Sequence, residues 1–459
     1  MNKTPLFSSR RHGLLPTAIV SLSCLAVLLL SASCCQPAAP AGNGTASSVF
    51  TGEQPDYDTY FTPERLRIDL VLAGGAGRQL AFVQELYCES EWAGSPNGLV
   101  DPFGYGQYYM EVFSKDGQVI YSKGFSTYFE EWRTTNQAGQ LEMACNQTVW
   151  MPFPKDSVRL QLYQRLRATN RFEPLYSCWI DPADKLIRRI KENSYSLHEL
   201  EVKGPLAHKA DILFLAEGYT KAEMDKFHRD ARRFADYLFE MEPYKSRRQD
   251  INLWMVDSES EESGVSIPHW DRWKSTVCGS NFYTFYLDRY LTISNHKKIA
   301  SAASGAPFDA LFIIANETKY GGGGIYGSYA MGTADHPLSE IVFVHEFGHS
   351  FAGLGDEYYT SEVAYNDYYP ATSEPWEPNI TNLVNFEAKW KHLLPEGELP
   401  FYENDSANMG KLGLFEGAGY MAKGMYRSYY DCRMLNNTAP GFCPVCQEAI
   451  SRMIDFYVK

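Results

Sequence analysis

The chain has 459 residues, of which 44% are hydrophobic and 21% are charged, a composition typical of globular proteins rather than disordered or fibrous ones. Its 56 acidic residues outnumber the 42 lysines and arginines, which gives a formal net charge of -14. A protein with this negative charge repels a phosphate backbone, and the sequence has no basic stripe that would offset the repulsion. Nucleic acid is therefore excluded as a partner.

The N-terminus has the organisation of an export signal. Basic residues precede an uncharged apolar run, Thr17 to Leu30, and small residues then lead into Cys34. The apolar run is short for a membrane span and ends in a cleavage-like site. Residues 1–33 are therefore predicted to be a signal peptide.

A cysteine that directly follows small residues resembles the acylated cysteine of a bacterial lipobox. Cys34 is the expected acceptor and Cys35 is the second choice. Residues 34–48 are small and uncharged, which predicts a lipidated tether rather than a folded segment. The expected location is therefore the cell envelope (outer membrane or periplasm), with membrane contact only through the lipid anchor, and plain secretion is the alternative.

Residues 49–181 are predicted to form an antiparallel β-sandwich. Short segments that alternate apolar and polar residues recur there, and Asp116-Gly117 between two of them is a strong hairpin signal. Little helical periodicity accompanies these segments. No catalytic constellation is recognisable in this region. The predicted strands are Leu66–Leu72, Tyr108–Phe113, Gln118–Ser122 and Ser157–Tyr163.

A charged stretch, residues 182–206, is predicted to connect this domain to a second one over residues 207–459. Apolar segments of buried-strand character alternate there with helical patterns, which predicts an α/β or α+β unit. Thr220 and Glu223 have the spacing of a capping box ahead of a helix that continues to Leu238. The predicted buried strands are Ala210–Ala216, Ile251–Val256 and Ala310–Ala315.

Seven cysteines follow the predicted tether, and an odd number leaves at least one thiol without a partner among them. Cys443 and Cys446 have the Cys-x-x-Cys spacing of a redox pair or of half a zinc ribbon. No second such pair exists in the sequence, so a structural role for these cysteines is the expectation.

The residues with metal-site chemistry lie between 345 and 357. His345 and His349 are four residues apart, so on a helix both imidazoles project from one face and can share one Zn²⁺ ion. Glu346 can reach a metal-bound water without itself being a ligand. A helix with two hydrogen-bonded structural histidines is the alternative interpretation.

A third ligand is expected just after this helix. Gly353 and Gly355 allow the chain to leave the helix and turn sharply. A carboxylate from Asp356 would then complete the three protein ligands of a catalytic zinc site and leave the fourth position to water. Glu357 is the rival third ligand.

Gly321 to Gly324 precede the histidine motif by about twenty residues. Backbone without side chains would let a substrate peptide approach and pair as an added strand. A flexible loop is the alternative.

The segment from Val344 to Tyr359 resembles the zinc site of the IgA-specific metallopeptidase family. Residues 214–220, 259–265, 321–326, 432–434 and 442–446 are similar to that family as well. The resemblance implies a secreted or envelope zinc endopeptidase, with a metzincin-like catalytic domain behind an N-terminal β-domain.

The motif departs from the usual metzincin spacing. Metzincins place a glycine three residues after the second histidine, whereas here that position is Ala352 and the glycine is Gly353. The extra residue leaves the third ligand open between Asp356 and Glu357. The resemblance also implies a methionine turn beneath the metal, for which Met434 is the candidate, although simple packing explains a buried methionine equally well.

The leading hypothesis is a zinc-dependent endopeptidase of the cell envelope that hydrolyses secreted proteins or glycoproteins, with immunoglobulin A among the candidate substrates. Zn²⁺ held by the two histidines and Asp356 would polarise the scissile carbonyl, while Glu346 takes a proton from the attacking water and passes it to the leaving amine. The alternative is a lipid-anchored binding protein with a structural zinc domain. A complete general base argues against that alternative.

Overall fold

The computed structural model describes residues 35–37, 53–190, 195–359 and 369–459, with residues 35–37 described as backbone only. The predicted signal peptide, the acylation at Cys34 and most of the predicted tether lie outside the described residues. Within the described ranges, no helix combines the length and apolar character needed to cross a bilayer.

Two β-sheets build the first region. The elements are β1 (Cys35–Pro37), α1 (Tyr57–Tyr60), β2 (Phe61–Gly75), β3 (Arg78–Glu89), β4 (Tyr108–Phe113), β5 (Val119–Phe125), α2 (Tyr128–Arg133), β6 (Met143–Pro154), β7 (Val158–Leu166), β8 (Arg171–Ile180) and β9 (Arg188–Arg189). One sheet has the order β6-β2-β3-β9 and the other β1-β8-β7-β4-β5. Only the short β3–β9 pair is parallel.

Alternation of apolar residues explains why these two sheets pack together. Side chains on alternate positions of a strand face one side, and those of β2, β4 and β7 meet in one buried core that includes Ile68, Val112 and Leu160. The predicted N-terminal β region is confirmed. The hairpin predicted at Asp116-Gly117 joins β4 to β5, and Gly117 adopts a φ of 86°, which a glycine tolerates without strain.

The charged stretch between the two regions is itself hydrogen-bonded into both of them. Strand β9 pairs with β3 of the first region, whereas β10 (Leu197–Glu201) pairs with a strand of the second. The domain boundaries stay a prediction.

A six-stranded mixed sheet organises the second region. Its elements continue with β11 (Ala210–Glu217), α3 (Met224–Leu238), β12 (Ile251–Val256), α4 (His296–Ala302), β13 (Ala310–Ala315), β14 (Gly322–Ile325), β15 (Tyr329–Thr333), α5 (Ser339–Ala352), β16 (Ile380–Thr381), β17 (Phe401–Tyr402), β18 (Leu412–Ala418), β19 (Met421–Tyr429) and α6 (Pro444–Tyr457). The strand order is β10-β12-β11-β13-β15-β14, with β10 and β14 as the two antiparallel edges. Strands β16 to β19 form a separate small sheet.

The predicted strands and helix of this region are confirmed, and the strands carry the buried apolar runs expected of a sheet covered on both faces. The capping box of Thr220 and Glu223 forms, although the first turn after it is a 3₁₀ turn and the α-helix begins at Met224. Helices α3, α5 and α6 share one core on one face of the sheet, and α4 packs in a second core on the other face.

Helix α5 is apolar on most of its surface, so it packs against the sheet rather than facing solvent. Phe343 and Phe347 lie in the core and hold one side of the helix in place. The helix ends at Ala352, and the φ of 66° at Gly353 then turns the chain sharply; the Gly353 backbone N–H donates to His349 O.

Candidate metal centre and cleft

Helix α5 brings the two predicted histidine ligands together. His345 and His349 lie one turn apart on the face opposite the buried phenylalanines, with ring centroids 4.8 Å apart. Their Nε2 atoms are 3.2 Å from each other. The two imidazoles therefore project from one face of the helix, as their spacing in the sequence predicts.

Backbone carbonyls fix the tautomer of both rings. His345 Nδ1 lies 3.0 Å from Arg433 O, and His349 Nδ1 lies 2.6 Å from Leu354 O. A carbonyl oxygen only accepts hydrogen bonds, so each Nδ1 must carry the proton. Each Nε2 then presents its lone pair, which is the form of histidine that binds metals.

The turn after α5 returns Asp356 to these lone pairs. Asp356 Oδ1 lies 3.1 Å from His345 Nε2 and 3.3 Å from His349 Nε2. Within the described part of the chain, this buried oxygen has no hydrogen-bond partner apart from these two contacts. We call His345, His349 and Asp356 the histidine cluster.

The spacing within the histidine cluster suits a tetrahedral zinc ion. Bonds of about 2.0–2.1 Å to such an ion place its ligand atoms about 3.3–3.4 Å apart. The three observed separations are 3.1, 3.2 and 3.3 Å. Three electron-rich atoms at these distances repel one another unless a cation lies between them, so the residues fit a bound metal.

The pKa shifts within the histidine cluster also favour a bound cation. Burial lowers the pKa of His349, but the Asp356 carboxylate outweighs burial and raises that pKa to about 9. Burial opposes ionisation of Asp356, yet the two imidazoles hold its pKa well below the usual value. The cluster therefore stabilises one positive charge at its centre, either a proton or a metal ion.

Glu346 lies beside the cluster and faces the same cleft. A carboxylate oxygen of Glu346 and a nitrogen of each histidine lie within 4.8 Å of one another. Burial raises the pKa of Glu346 above its ordinary value, although the neighbouring histidines partly oppose the shift. A carboxylate that is held near a bound ion and has a raised pKa is suited to general-base chemistry.

The glycine run predicted to lie near substrate is the edge strand β14, not a flexible loop. A Cβ on Gly324 would lie 2.3 Å from Glu346 O, and one on Gly322 would lie 3.0 Å from Glu346 Cγ. Glycine is therefore required because the strand lies directly against α5 at the histidine motif.

Two residues distant in sequence support the cluster. The Tyr420 hydroxyl donates to Asp356 Oδ2, which leaves Oδ1 directed at the histidines. Met434 is buried, and a Cβ on Gly348 would meet its sulfur at 3.1 Å, so Met434 packs against α5 between the two histidines. The methionine turn itself stays a prediction. Nothing local in the sequence marks Tyr420.

A cleft of about 420 Å³ opens in front of the histidine cluster. Aromatic side chains form much of its wall: Phe285, Tyr290, Tyr320, Tyr326, Tyr358, Tyr369, Trp376 and Tyr420. The side chain of Arg289 is also in the wall, within reach of Tyr358 Oη at 3.5 Å.

The first region contributes side chains to this cleft, although no catalytic constellation is recognisable in its sequence. Thr127, Glu130 and Glu131, at the start of α2, lie in the cleft wall. Glu131 accepts a hydrogen bond from the Tyr290 hydroxyl, and burial raises the pKa of Glu131 to about 7. Sequence reasoning missed these residues because a β-rich region with one short helix gives no local signal of where that helix docks.

Glu357, the rival third ligand, points away from the histidines. Its Oε1 accepts from Asn379 Nδ2 at 2.9 Å and lies 3.3 Å from Cys446 Sγ. Its backbone N–H donates to Met434 O. The geometry therefore brings Asp356 and not Glu357 to the histidines.

Comparison with known proteins agrees with this arrangement. The sequence profile described as IgA Peptidase M64 matches residues 198–407 and 401–454, which together span more than half of the chain. A second profile, described as Peptidase M64 N-terminus, matches residues 56–177. No curated protein matches the chain.

Proposed function

Because the chain belongs to the IgA peptidase M64 family, and is therefore a metallopeptidase with protein or peptide substrates, we propose that its metal is zinc and that it is an endopeptidase. The family membership confirms the resemblance found in the sequence. In this proposal the histidine cluster holds the ion and Glu346 is the general base.

One observation carries the proposal. Three ligand atoms from two histidines and one aspartate converge with separations of 3.1–3.3 Å, in the wall of a cleft. Three protein ligands with an open fourth position are typical of catalytic zinc, whereas structural sites close all four positions. The choice of zinc rests on the His-Glu-x-x-His motif on α5, since two histidines four residues apart with a glutamate beside the first are typical of zinc peptidases.

The chain's own residues supply the remaining chemistry. Bound zinc would polarise a substrate carbonyl and acidify a water molecule. A Glu346 carboxylate oxygen would accept a proton from the attacking water and deliver it to the nitrogen of the leaving amine. The backbone carbonyls of Arg433 and Leu354 keep both imidazoles in the metal-binding tautomer.

The proposed substrates are secreted proteins or glycoproteins, with immunoglobulin A among them. The support is the export-signal pattern of the N-terminus and the family description. The aromatic wall of the cleft offers apolar surface to substrate side chains, and β14 is the sheet edge nearest the histidine motif. We further propose that the protein works at the cell envelope through a lipid anchor on Cys34.

The enzyme hypothesis is favoured over the binding-protein alternative. A purely structural zinc site has no use for a carboxylate such as Glu346 beside the ion and facing a cleft. The family membership points in the same direction.

Incubation of the purified full chain with immunoglobulin A and with a mixed peptide library tests the proposal. Mass spectrometry of the products is expected to show internal cuts that a zinc chelator abolishes and added zinc restores. Cuts that are insensitive to the chelator, or products trimmed only from their ends, would contradict a zinc endopeptidase.

A further inference from the structure

A second set of metal-binding side chains lies behind the histidine cluster, in the protein interior. Its ligand atoms all lie within 4.8 Å of one another. We call this set the cysteine cluster; it consists of Glu357, Cys432, Cys443 and Cys446.

The distances in the cysteine cluster match a tetrahedral ion. Zn–S bonds of about 2.3 Å place the sulfur atoms of such a site about 3.8 Å apart, and sulfur and carboxylate oxygen about 3.5 Å apart. Cys432 Sγ and Cys446 Sγ are 3.7 Å apart. Glu357 Oε1 lies 3.3 Å from Cys446 Sγ and 3.9 Å from Cys443 Sγ.

Burial makes the carboxylate of this cluster costly without a cation. All four side chains are at most 2% exposed. Glu357 Oε2 has no hydrogen-bond partner, and among the described residues no lysine, arginine or histidine forms an ion pair with Glu357. An uncompensated buried carboxylate is strongly unfavourable, whereas a divalent cation bonded to it removes the penalty.

The surroundings of the sulfur atoms are those of thiolate ligands. The Cys443 backbone N–H donates to Cys432 Sγ, and Ser428 Oγ lies 3.3 Å from Cys443 Sγ. Cys443 and Cys446 also flank the first residues of α6, where a helix N-terminus favours a thiolate. Asn379 orients the carboxylate, as outer residues commonly do at metal sites.

We propose that the cysteine cluster binds a second zinc ion, in a closed and purely structural site. Three thiolates and one carboxylate fill the four positions of the tetrahedron, so no position remains for water or substrate. Thiolate donors select a soft ion such as zinc over calcium or magnesium. This ion is separate from the one in the histidine cluster, and the proposal does not depend on peptidase activity.

The second ion would tie together the segments that build the histidine cluster. Glu357 directly follows the ligand Asp356, and Cys432 directly precedes Arg433, whose carbonyl holds His345. Cys443 and Cys446 add the start of α6. One ion would therefore fix three chain segments, the first of which lies about 75 residues before the other two, and this is the usual contribution of structural zinc to folding.

A disulfide between two of the three cysteines is the competing arrangement in an exported chain. It would leave the third cysteine as a free thiol, and Glu357 without a cation at ion-pair distance among the described residues. Alkylation of the denatured, chelated but unreduced protein separates the two cases. We expect every one of the three cysteines to be alkylated, and a peptide in which two of them are linked would overturn the proposal.

Cobalt substitution tests the site on the intact full chain. Thiolate ligands give bound Co²⁺ an intense near-ultraviolet charge-transfer band, which the nitrogen and oxygen donors of the histidine cluster do not give. We expect zinc analysis to show about two ions per chain and the cobalt form to show this band. The His345→Ala/His349→Ala variant should lose one ion and keep the band.

The matched variants are Cys443→Ala/Cys446→Ala and, as control, Cys145→Ala, which removes a buried thiol of the first region. The control should keep both ions and the band, while the double variant should lose the band and unfold at lower temperature. If the double variant does not fold, the charge-transfer band of the cobalt-loaded wild type and the alkylation pattern of its cysteines test the proposal without it. Absence of the band in a cobalt-loaded wild type would overturn the proposal.

Among the described residues, one other cluster could hold a second ion, and the experiment must distinguish it from the cysteine cluster. His198 Nε2 and His228 Nε2 contact the two oxygens of Asp257 at 2.9 and 2.7 Å on the partly exposed side of the second region. A second zinc that disappears in His198→Ala/His228→Ala, and persists in Cys443→Ala/Cys446→Ala, would assign it to that surface cluster and overturn the cysteine site.

Discussion

The histidine cluster and the cysteine cluster are built from neighbouring parts of the chain but have opposite relations to solvent. Asp356 and Glu357 are adjacent, yet one carboxylate points to the histidines at the cleft and the other into the sealed cysteine cluster. The first cluster presents three candidate ligand atoms and borders a cleft, whereas the second presents four that are all buried. The difference separates a site that can perform chemistry from one that can only hold structure.

The largest expected effect is on peptide hydrolysis at the histidine cluster. Glu346→Ala removes the base but no ligand, so hydrolysis should fall by about 10²–10⁴-fold or more while zinc content and folding stay unchanged. Initial rates on a fluorogenic peptide and zinc analysis of the same sample check this. Glu340→Ala is the control on the same helix, because Glu340 pairs with Arg233 outside the cleft and its loss should leave turnover intact. Wild-type turnover in Glu346→Ala would rule out the mechanism.

The two adjacent acids are expected to affect zinc binding at different clusters, and the opposite result would contradict the distinction between the clusters. Asp356→Ala deletes a ligand oxygen and should weaken zinc at the histidine cluster by more than about 100-fold. Glu357→Ala should instead release the ion of the cysteine cluster and weaken zinc at the histidine cluster by about 10–100-fold at most. Titration against a competing chelator measures both. If Glu357→Ala loses the catalytic ion and Asp356→Ala keeps it, the third ligand is wrong by one residue.

A smaller effect is expected from the hydroxyl that orients Asp356. Tyr420→Phe removes the hydrogen bond to Asp356 Oδ2 and keeps the ring, so zinc affinity at the histidine cluster should fall about 10-fold. The cobalt–thiolate band of the cysteine cluster should not change, because Tyr420 contacts the other acid. Chelator titration and absorbance on one sample test both statements, and an unchanged affinity would remove Tyr420 from the support of the cluster.

Packing between the two clusters gives a prediction on stability alone. A Cβ added at Gly348 would meet Met434 Sδ at 3.1 Å, Leu354 Cδ1 at 3.2 Å and Phe442 Cε1 at 3.3 Å. Alanine gains about 1 kcal/mol over glycine inside a helix, but here it must displace three packed neighbours at once. We therefore expect Gly348→Ala to lower the free energy of unfolding by a net of about 0.5–2 kcal/mol. Urea unfolding measures the change. Gly77→Ala is the matched control, since nothing lies within 4 Å of its added Cβ, and an equal loss in both variants would refute the packing argument.

The smallest effect concerns the pH dependence of stability. Burial raises the pKa of Glu131 to about 7 in the folded chain, above the ordinary value of about 4.3 for a glutamate in an unfolded chain. The folded state then binds more protons than the unfolded state between these values, so stability falls as the pH rises through that window. Glu131→Gln should remove about 1 kcal/mol of this fall, less than a fully enclosed carboxyl would give, because part of the Glu131 side chain stays exposed to solvent in the cleft. Thermal unfolding at pH 4 and pH 8 checks it, and identical pH dependence in both proteins would contradict the assignment.

Features that depend on residues close together in the chain could be predicted from the sequence. Helical periodicity places His345 and His349 on one face, and a glycine after the helix indicates that the chain turns back toward them. The histidine cluster is therefore predicted from a dozen consecutive residues. Alternation of apolar residues likewise predicted strands of both regions, with β12 and β13 agreeing to the residue.

Long-range pairing explains what the sequence did not reveal. Cys443 and Cys446 looked like half of a zinc site without a partner pair, because the other half is supplied by Cys432 and by an acid 75 residues before it. Glu131 comes to the cleft through packing between the two regions, which no local pattern encodes. Turn geometry, rather than composition, decides which of two adjacent acids reaches the histidines.

The most direct test of the account is a crystal structure of the wild-type chain with anomalous data collected on both sides of the zinc absorption edge. The account predicts a zinc peak bonded to His345 Nε2, His349 Nε2 and Asp356 Oδ1, at about 2.0–2.2 Å and open toward the cleft. It predicts a second peak enclosed by the cysteine cluster. A structure with no zinc at the histidines, or with Glu357 bonded to that ion in place of Asp356, would contradict the central claim.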